Sequence, residues 1–305
     1  MKKILITGHE GLVGRHLKVQ IERTGFIAVG LDIQALNSKY KGDILDQNRL
    51  KEAMDGCIGV VHLAAVSRVV WGENDPELCW NTNAEASKKL FDLALESEHK
   101  PWVILSSSRE VYGEPDDLPV TESSPLLPVN VYGRAKLAME EASLKARRKG
   151  LQIAIVRLAN VYGCTDDHID RVLPAFCRAA VLGETLRVDG LQHTFDFTHI
   201  SDTVDGFMRI IAKLESGEMN LPPIHLLPGL ATTLQEAAQF AIQASDSDSI
   251  IQEAPSRSYD VGRFVGDATR SKKILDWEAK VTPQQGITQL VNKFKIILNN
   301  NKEVA

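Results

Sequence analysis

The chain has 305 residues, 44% hydrophobic and 25% charged, with a formal net charge of −5 at pH 7. These proportions fit a globular chain of one large domain with a lobe, or of two domains, and leave no basic footprint for nucleic acid. No apolar run approaches the ~18 residues of a membrane span and no signal-peptide pattern opens the chain, so no membrane partner and a cytoplasmic location are expected.

The segment Lys2–Leu17 reads KKILITGHEGLVGRHL. Ile4–Thr7 has the composition of a buried strand, and Gly8, Gly11 and Gly14 follow at every third position. From Leu12 onward, Leu12, Val13, Leu17 and Ile21 suit one face of a helix. Strand, glycine turn and helix in that order form a dinucleotide cradle, because backbone must approach a pyrophosphate closely and a helix N-terminus presents unpaired N–H groups to it. Phe26–Leu31 is a second apolar run ending in Asp32. A carboxylate roughly 20 positions past the glycines suits ribose hydroxyls and repels a 2′-phosphate, and Glu10 adds negative charge, so NAD is expected over NADP.

Gly42-Asp43-Ile44-Leu45-Asp46 precedes a helical segment at Gln47–Met54. Gly59–Ala65 reads as a buried strand ending in small residues that leave room for a ligand, with His62 as a satisfied core histidine. A long helix is predicted over Asn81–Glu98, then the strand Trp102–Leu105 and the cluster Ser106, Ser107, Ser108. Pro115–Pro128 is a proline-rich surface loop, Tyr132–Arg148 a helix and Leu151–Leu158 a strand. This alternation means a doubly wound, mostly parallel α/β sheet covered on both faces. Beyond Gly163 the pattern loosens into helices at Val172–Leu182, Ser201–Leu214 and Thr233–Ala244 with short strands such as Leu186–Val188, and Asn299–Ala305 reads as a frayed tail. A cofactor domain at 1–163, to which strands and helices from about 191–215 return, and a smaller substrate-binding α/β lobe at 164–298 follow. Cys57, Cys79, Cys164 and Cys177 are widely spaced and fit reduced thiols rather than a metal site.

Tyr132 and Lys136 lie four apart, on one helix face. Bringing a phenol from ~10 to ~7 takes about 4 kcal/mol, which a nearby ammonium and a positive nicotinamide ring are suited to supply. Lys136 is also placed to hold the nicotinamide ribose, and Ser108 to hydrogen-bond the oxygen that Tyr132 deprotonates.

Seven segments, TGHEGLVG, GDILD, VHLAA, SSSREVYG, YGRAK, RLANVYG and RSYDVGRFVGDATRSKKILDW, occur in that order. On them the chain resembles the extended short-chain dehydrogenase/reductase superfamily, in its NAD-dependent nucleotide-sugar epimerase and dehydratase branch. The resemblance implies a Rossmann fold, NAD, and a nucleoside-diphosphate sugar as substrate. It places Asp43 and Ile44 beside the adenine, Leu63, Ala64, Ala65 and Ser106 along the cofactor, and Asn83 where it steadies the backbone there. Ser108 takes the catalytic hydroxyl position, Asn160 touches the sugar diphosphate and Arg257 pairs with phosphate or ribose; Ser67 belongs to the sugar pocket. A homodimer is implied by analogy, through the 81–98 and 132–148 helices.

Two departures stand out. Phe195 occupies the place where the branch carries an arginine, which leaves His193 or another basic residue to contact the diphosphate. In Ser108-Arg109-Glu110, the glutamate matches the C5 base of dehydratases and decarboxylases, while Arg109 replaces an acidic proton donor and is suited to an electrostatic clamp. Glu110 alternatively pairs with Arg109. The activity expected is 4-epimerisation through a 4-keto intermediate; dehydration or decarboxylation through Glu110 is the alternative, and net reduction a lesser one.

Overall fold

A computed structural model describes residues 1–37, 39–219 and 221–303. β1 (Lys3–Thr7), β2 (Ile27–Leu31), β3 (Cys57–His62), β4 (Trp102–Ser108) and β5 (Ile153–Leu158) lie parallel with Ile224–Leu226 in one sheet. From one edge to the other the strands run β2, β1, β3, β4, β5 and Ile224–Leu226. Chain order reverses between β1 and β3, and the crevice outside the carboxyl ends at such a switch point is where open α/β sheets bind ligands.

The strand centres are apolar because both faces are covered: Ile4, Leu5 and Ile6 are all fully buried. On one face, Leu17 and Ile21 of α1 (Leu12–Arg23) pack with Phe207, Ile210 and Ile211 of the Ile200–Glu215 helix. On the other, Leu50, Leu90, Phe91 and Met139 fill the space. A second core, including Phe176, Ala237, Ala238, Leu290 and Phe294, joins the helices Val172–Leu182, Leu234–Ser245 and Pro283–Glu303.

Several elements differ from the sequence reading. β3 stops at His62, so Leu63–Ala65 form the turn beyond it, whereas β4 runs on through the serine cluster to Ser108. Residues 81–98 are not one regular helix: Asn81–Glu85 is a π-helical turn leading into Ala86–Glu96. The strands between 191 and 215 do not return to the main sheet. Thr194–Phe195 pairs with Thr232–Thr233 and Phe197–His199 with Asn160–Tyr162; only the helix at 200–215 packs back. The strand that does return is Ile224–Leu226, three residues too short to show a period. The tail is helical through Glu303, with residues 304–305 outside the described residues. No described helix is long and apolar enough to cross a membrane.

Candidate active site

The carboxyl ends of the strands open into a cleft of about 830 Å³. Gly8 leaves β1 with φ +74°, and a Cβ there would stand 2.7 Å from the amide nitrogen of Ala64. Gly14 is tighter, since its Cβ would meet the Gly8 carbonyl oxygen at 2.3 Å. The turn is therefore closed on itself, and Gly11 precedes α1 with no side-chain cap, so the helix start that lines the cleft has first-turn amides without a side-chain partner. Asp32 is held at the end of β2 by the amides of Glu10 and Gln34, at 3.0 and 2.8 Å, with its carboxylate lining the same cleft. Asp43, Ile44, Leu63, Ala64 and Ala65 complete this wall. An uncapped helix start beside a fixed carboxylate fits a dinucleotide's pyrophosphate and ribose.

Ser106 and Ser108 at the end of β4 face Tyr132 and Lys136 across the other half of the cleft. The Val131–Arg148 helix starts at Asn130, whose side-chain oxygen accepts from Gly133 N at 2.8 Å. The same side chain donates from Nδ2 to Glu110 Oε2 at 2.8 Å, so one asparagine fixes both the helix start and Glu110. Lys136 donates to the Ser106 carbonyl at 2.8 Å. Its ammonium lies 5.7 Å from the centre of the Tyr132 ring, and burial lowers its pKa to about 8. The expectation of a depressed tyrosine does not hold for the protein alone. Burial raises the Tyr132 phenol to about 12; the Ser108 hydroxyl and the Arg171 guanidinium act in the lowering direction, and Glu110 in the raising one.

Glu110 is 5% exposed and pairs with Arg109, Nη2 to Oε1 at 2.9 Å. Arg109 lies over Phe195, its guanidinium carbon 4.5 Å from the ring centre, and its Nε reaches Asn160 Oδ1 at 3.5 Å. A guanidinium thus rests on Phe195, the position at which the resemblance led to an arginine being expected. His193 also lines the cleft, edge-on to Phe195 at 6.1 Å.

The 164–171 segment fastens the two walls together. Asp166 pairs with Arg15 of α1 at 3.3 Å, Asp170 pairs with Arg68, and His168 meets Trp71 edge-on at 4.8 Å. All six residues line the cleft.

Every residue singled out from the sequence for the site lines this cleft except one. Asn83, expected to steady the backbone beside the cofactor, is fully buried behind the wall: it accepts from Val66 N at 2.8 Å and donates to Val66 O at 3.0 Å. It braces the loop after β3 from behind. His62 is a core histidine, bonded to Thr7 Oγ1 at 2.7 Å and Ser87 Oγ at 2.8 Å. Arg257 lines the far end, tied to Asp260 at 2.8 Å. Sequence reasoning did not single out Arg171, nor Arg15 as a partner across the cleft. A lone basic residue in an irregular segment carries no local signal of what it faces.

Residues 4–221 match the model of the NAD dependent epimerase/dehydratase family. A UDP-N-acetyl-alpha-D-glucosaminuronate decarboxylase of Bacillus cytotoxicus is 29% identical over 98% of this chain and 99% of its own length. A UDP-glucose 4-epimerase of Lactobacillus helveticus is 25% identical over 91% of this chain and 92% of its own. Among solved structures, a UDP-glucose 4-epimerase of Thermotoga maritima with UDP-glucose superposes with a TM-score of 0.90 at 26% identity, covering 97% of this chain and 99% of that one.

Proposed function

The chain belongs to the NAD dependent epimerase/dehydratase family, and from that premise we propose that it is a redox-neutral nucleoside-diphosphate-sugar 4-epimerase, oxidising the sugar C4 hydroxyl to a ketone and reducing it again. The observation that carries this reading is the meeting of Ser108, Tyr132 and Lys136 with the glycine cradle in one cleft. We assign the cofactor to residues 1–163 and the nucleotide sugar mainly to 164–298.

In this mechanism the amides of Leu12–Gly14 would hold the pyrophosphate and Asp32 the adenosine ribose. Bound NAD would supply the hydride acceptor for the oxidation and the hydride donor for the return step. Tyr132 as phenolate takes the C4 hydroxyl proton and gives it back on the return step, while Ser108 hydrogen-bonds the same oxygen and fixes its angle. Lys136, anchored on the Ser106 carbonyl, brings a positive charge to the tyrosine's side of the cleft. Arg171 adds a second cation that favours the phenolate. The ion pairs of 164–171 across the cleft support a cofactor kept through many turnovers, as a cycle without net oxidation requires.

Glu110 favours a second reading. Its buried carboxylate, one residue removed from Ser108, is placed to act on the 4-ketone at C5, as in a dehydratase or decarboxylase. The Bacillus relative supports that sequel as strongly as the Lactobacillus relative supports epimerisation.

Incubating the holoenzyme with UDP-glucose and with UDP-glucuronic acid, and following products by NMR, separates the two. A C4 epimer with no net reduced cofactor is the expected result. Release of carbon dioxide or water moves the conclusion to the Glu110 reading, and steady accumulation of reduced cofactor defeats both. Tyr132→Phe should lower kcat by about 10²–10⁴-fold in either case.

A further inference from the structure

We infer that Glu73 is a positioning residue for Tyr132: from a separate helix, its carboxylate holds the start of the helix that carries the phenol. The inference rests on the C4-oxidation reading above and adds a residue that sets the aim of its base. The Val131 amide, the first of the Val131–Arg148 helix, donates to Glu73 Oε1 at 2.8 Å across 58 positions of chain. Two residues on, the Gly133 amide donates to the Asn130 side chain at 2.8 Å. Tyr132 therefore sits between two held amides, Val131 by Glu73 and Gly133 by Asn130. The first turn of this helix has no acidic residue of its own, so Glu73 brings to it a negative charge that complements the helix dipole.

Glu73 can aim the tyrosine because its own helix, Val69–Asn74, is fixed against the same spot. A Cβ on Gly72 would stand 3.4 Å from both Tyr132 Cβ and the Tyr132 amide nitrogen, and 3.1 Å from Cys79 Sγ. The backbone just before Glu73 thus runs directly beside Tyr132. A six-residue helix has little stability alone and would leave its carboxylate poorly aimed, but this one is pinned at both ends. At its start Arg68 pairs with Asp170, and Trp71 meets His168 edge-on at 4.8 Å. At its end Asp75 accepts from Leu78 N at 3.0 Å and opens the next helix, Pro76–Trp80. Glu73 itself is not among the residues of the cleft wall, so its effect on rate passes through Tyr132 and not through contact with substrate or cofactor. A base displaced by about 1 Å can cost roughly 10²-fold in rate, which makes the hold on this one turn consequential.

Turnover and amide exchange test this separately. With whichever of UDP-glucose and UDP-glucuronic acid the holoenzyme turns over, Glu73→Ala should lower kcat about tenfold, while KM and the NAD retained per chain stay within about twofold of wild type. Glu73→Gln keeps an oxygen acceptor for the Val131 amide and should recover most of that loss. Hydrogen exchange of the 129–136 backbone, read by mass spectrometry without substrate, should quicken at least about fivefold in Glu73→Ala and stay near wild type in Glu73→Gln. Wild-type kcat or wild-type exchange in Glu73→Ala overturns the inference. A fall in kcat matched by an equal rise in KM or by loss of NAD also overturns it, because Glu73 would then support the cleft as a whole. Equal failure of the Ala and Gln variants does the same, since charge and not the held amide would matter. If the exchange results hold but the wild type turns over neither sugar nucleotide, the positioning of Tyr132 stands and the C4-oxidation reading falls.

Discussion

Arg157 on β5 grips Glu140 of the Val131–Arg148 helix with two buried hydrogen bonds, Nε to Oε1 at 3.0 Å and Nη2 to Oε2 at 2.7 Å. Glu140 stands four residues beyond Lys136 and eight beyond Tyr132, so the pair anchors the helix face that carries both side chains. Arg157 Nη1 continues to Tyr112 Oη at 2.7 Å and Glu122 O at 2.9 Å, and the Ser107 hydroxyl also bonds Glu140. Breaking one partner of a buried pair strands the other's charge, at a cost of about 3–5 kcal/mol. Glu140→Gln should therefore lower the urea midpoint sharply and reduce kcat. The double replacement Glu140→Met with Arg157→Met should destabilise less than the single one. A double variant worse than Glu140→Gln would show that the pair is more than charge compensation.

Gly14 packs against the turn it follows. A methyl group there meets Gly8 O at 2.3 Å and His9 Cα at 2.6 Å, both backbone, so neither can yield without opening the turn. Gly14→Ala should cost about 1–3 kcal/mol and strip retained NAD. The melting temperature and the cofactor released on denaturation measure both effects together.

Arg68 and Asp170 join the loop after β3 to the 164–171 segment, beside the Trp71–His168 contact. Asp170 is well exposed, which keeps the pair's contribution near the 0.2–1 kcal/mol of a solvated ion pair. Arg68→Ala should then speed NAD exchange by about two- to fivefold, and high salt should speed the wild type in the same direction. Displacement of retained cofactor by excess labelled NAD reads the rate. An unchanged rate in the variant would remove this pair from cofactor retention.

His62 and His225 are both buried and held neutral, burial pushing each pKa down from 6.5 to about 3. Between those values the unfolded chain holds a proton on each imidazole that the folded chain lacks, so stability is present above pH 6.5 and is lost as pH falls through that window. Each histidine contributes a slope of about 1.4 kcal/mol per pH unit inside it. Urea midpoints between pH 6 and 5 should fall accordingly, and His62→Gln should remove about half of that histidine-linked slope. A slope that persists undiminished would assign the acid sensitivity to other groups.

The order of the Rossmann half was legible because its signals are local. β1, the glycine turn and α1 form a continuous stretch, and Gln47–Met54 and Val172–Leu182 are recovered to the residue because helical spacing marks them. Tyr132 and Lys136 are one helical turn apart, and Asp32 ends the next strand, so their place along the cleft could be read from spacing and position. Only tertiary structure decided what depends on residues far apart in the chain. Asn83 faces Val66 instead of the cleft because the π-helical turn at 81–85 sets it behind the wall. Ile224–Leu226 becomes a sheet strand solely because β5 offers an open edge. Burial, which no single residue displays, raises Tyr132 where a neighbouring lysine had promised to lower it. Arg109 acquires its setting from Phe195 and Asn160, 86 and 51 positions away. Periodicity records what a residue's neighbours in the chain require; the direction of a guanidinium is set by packing between segments that sequence order keeps apart.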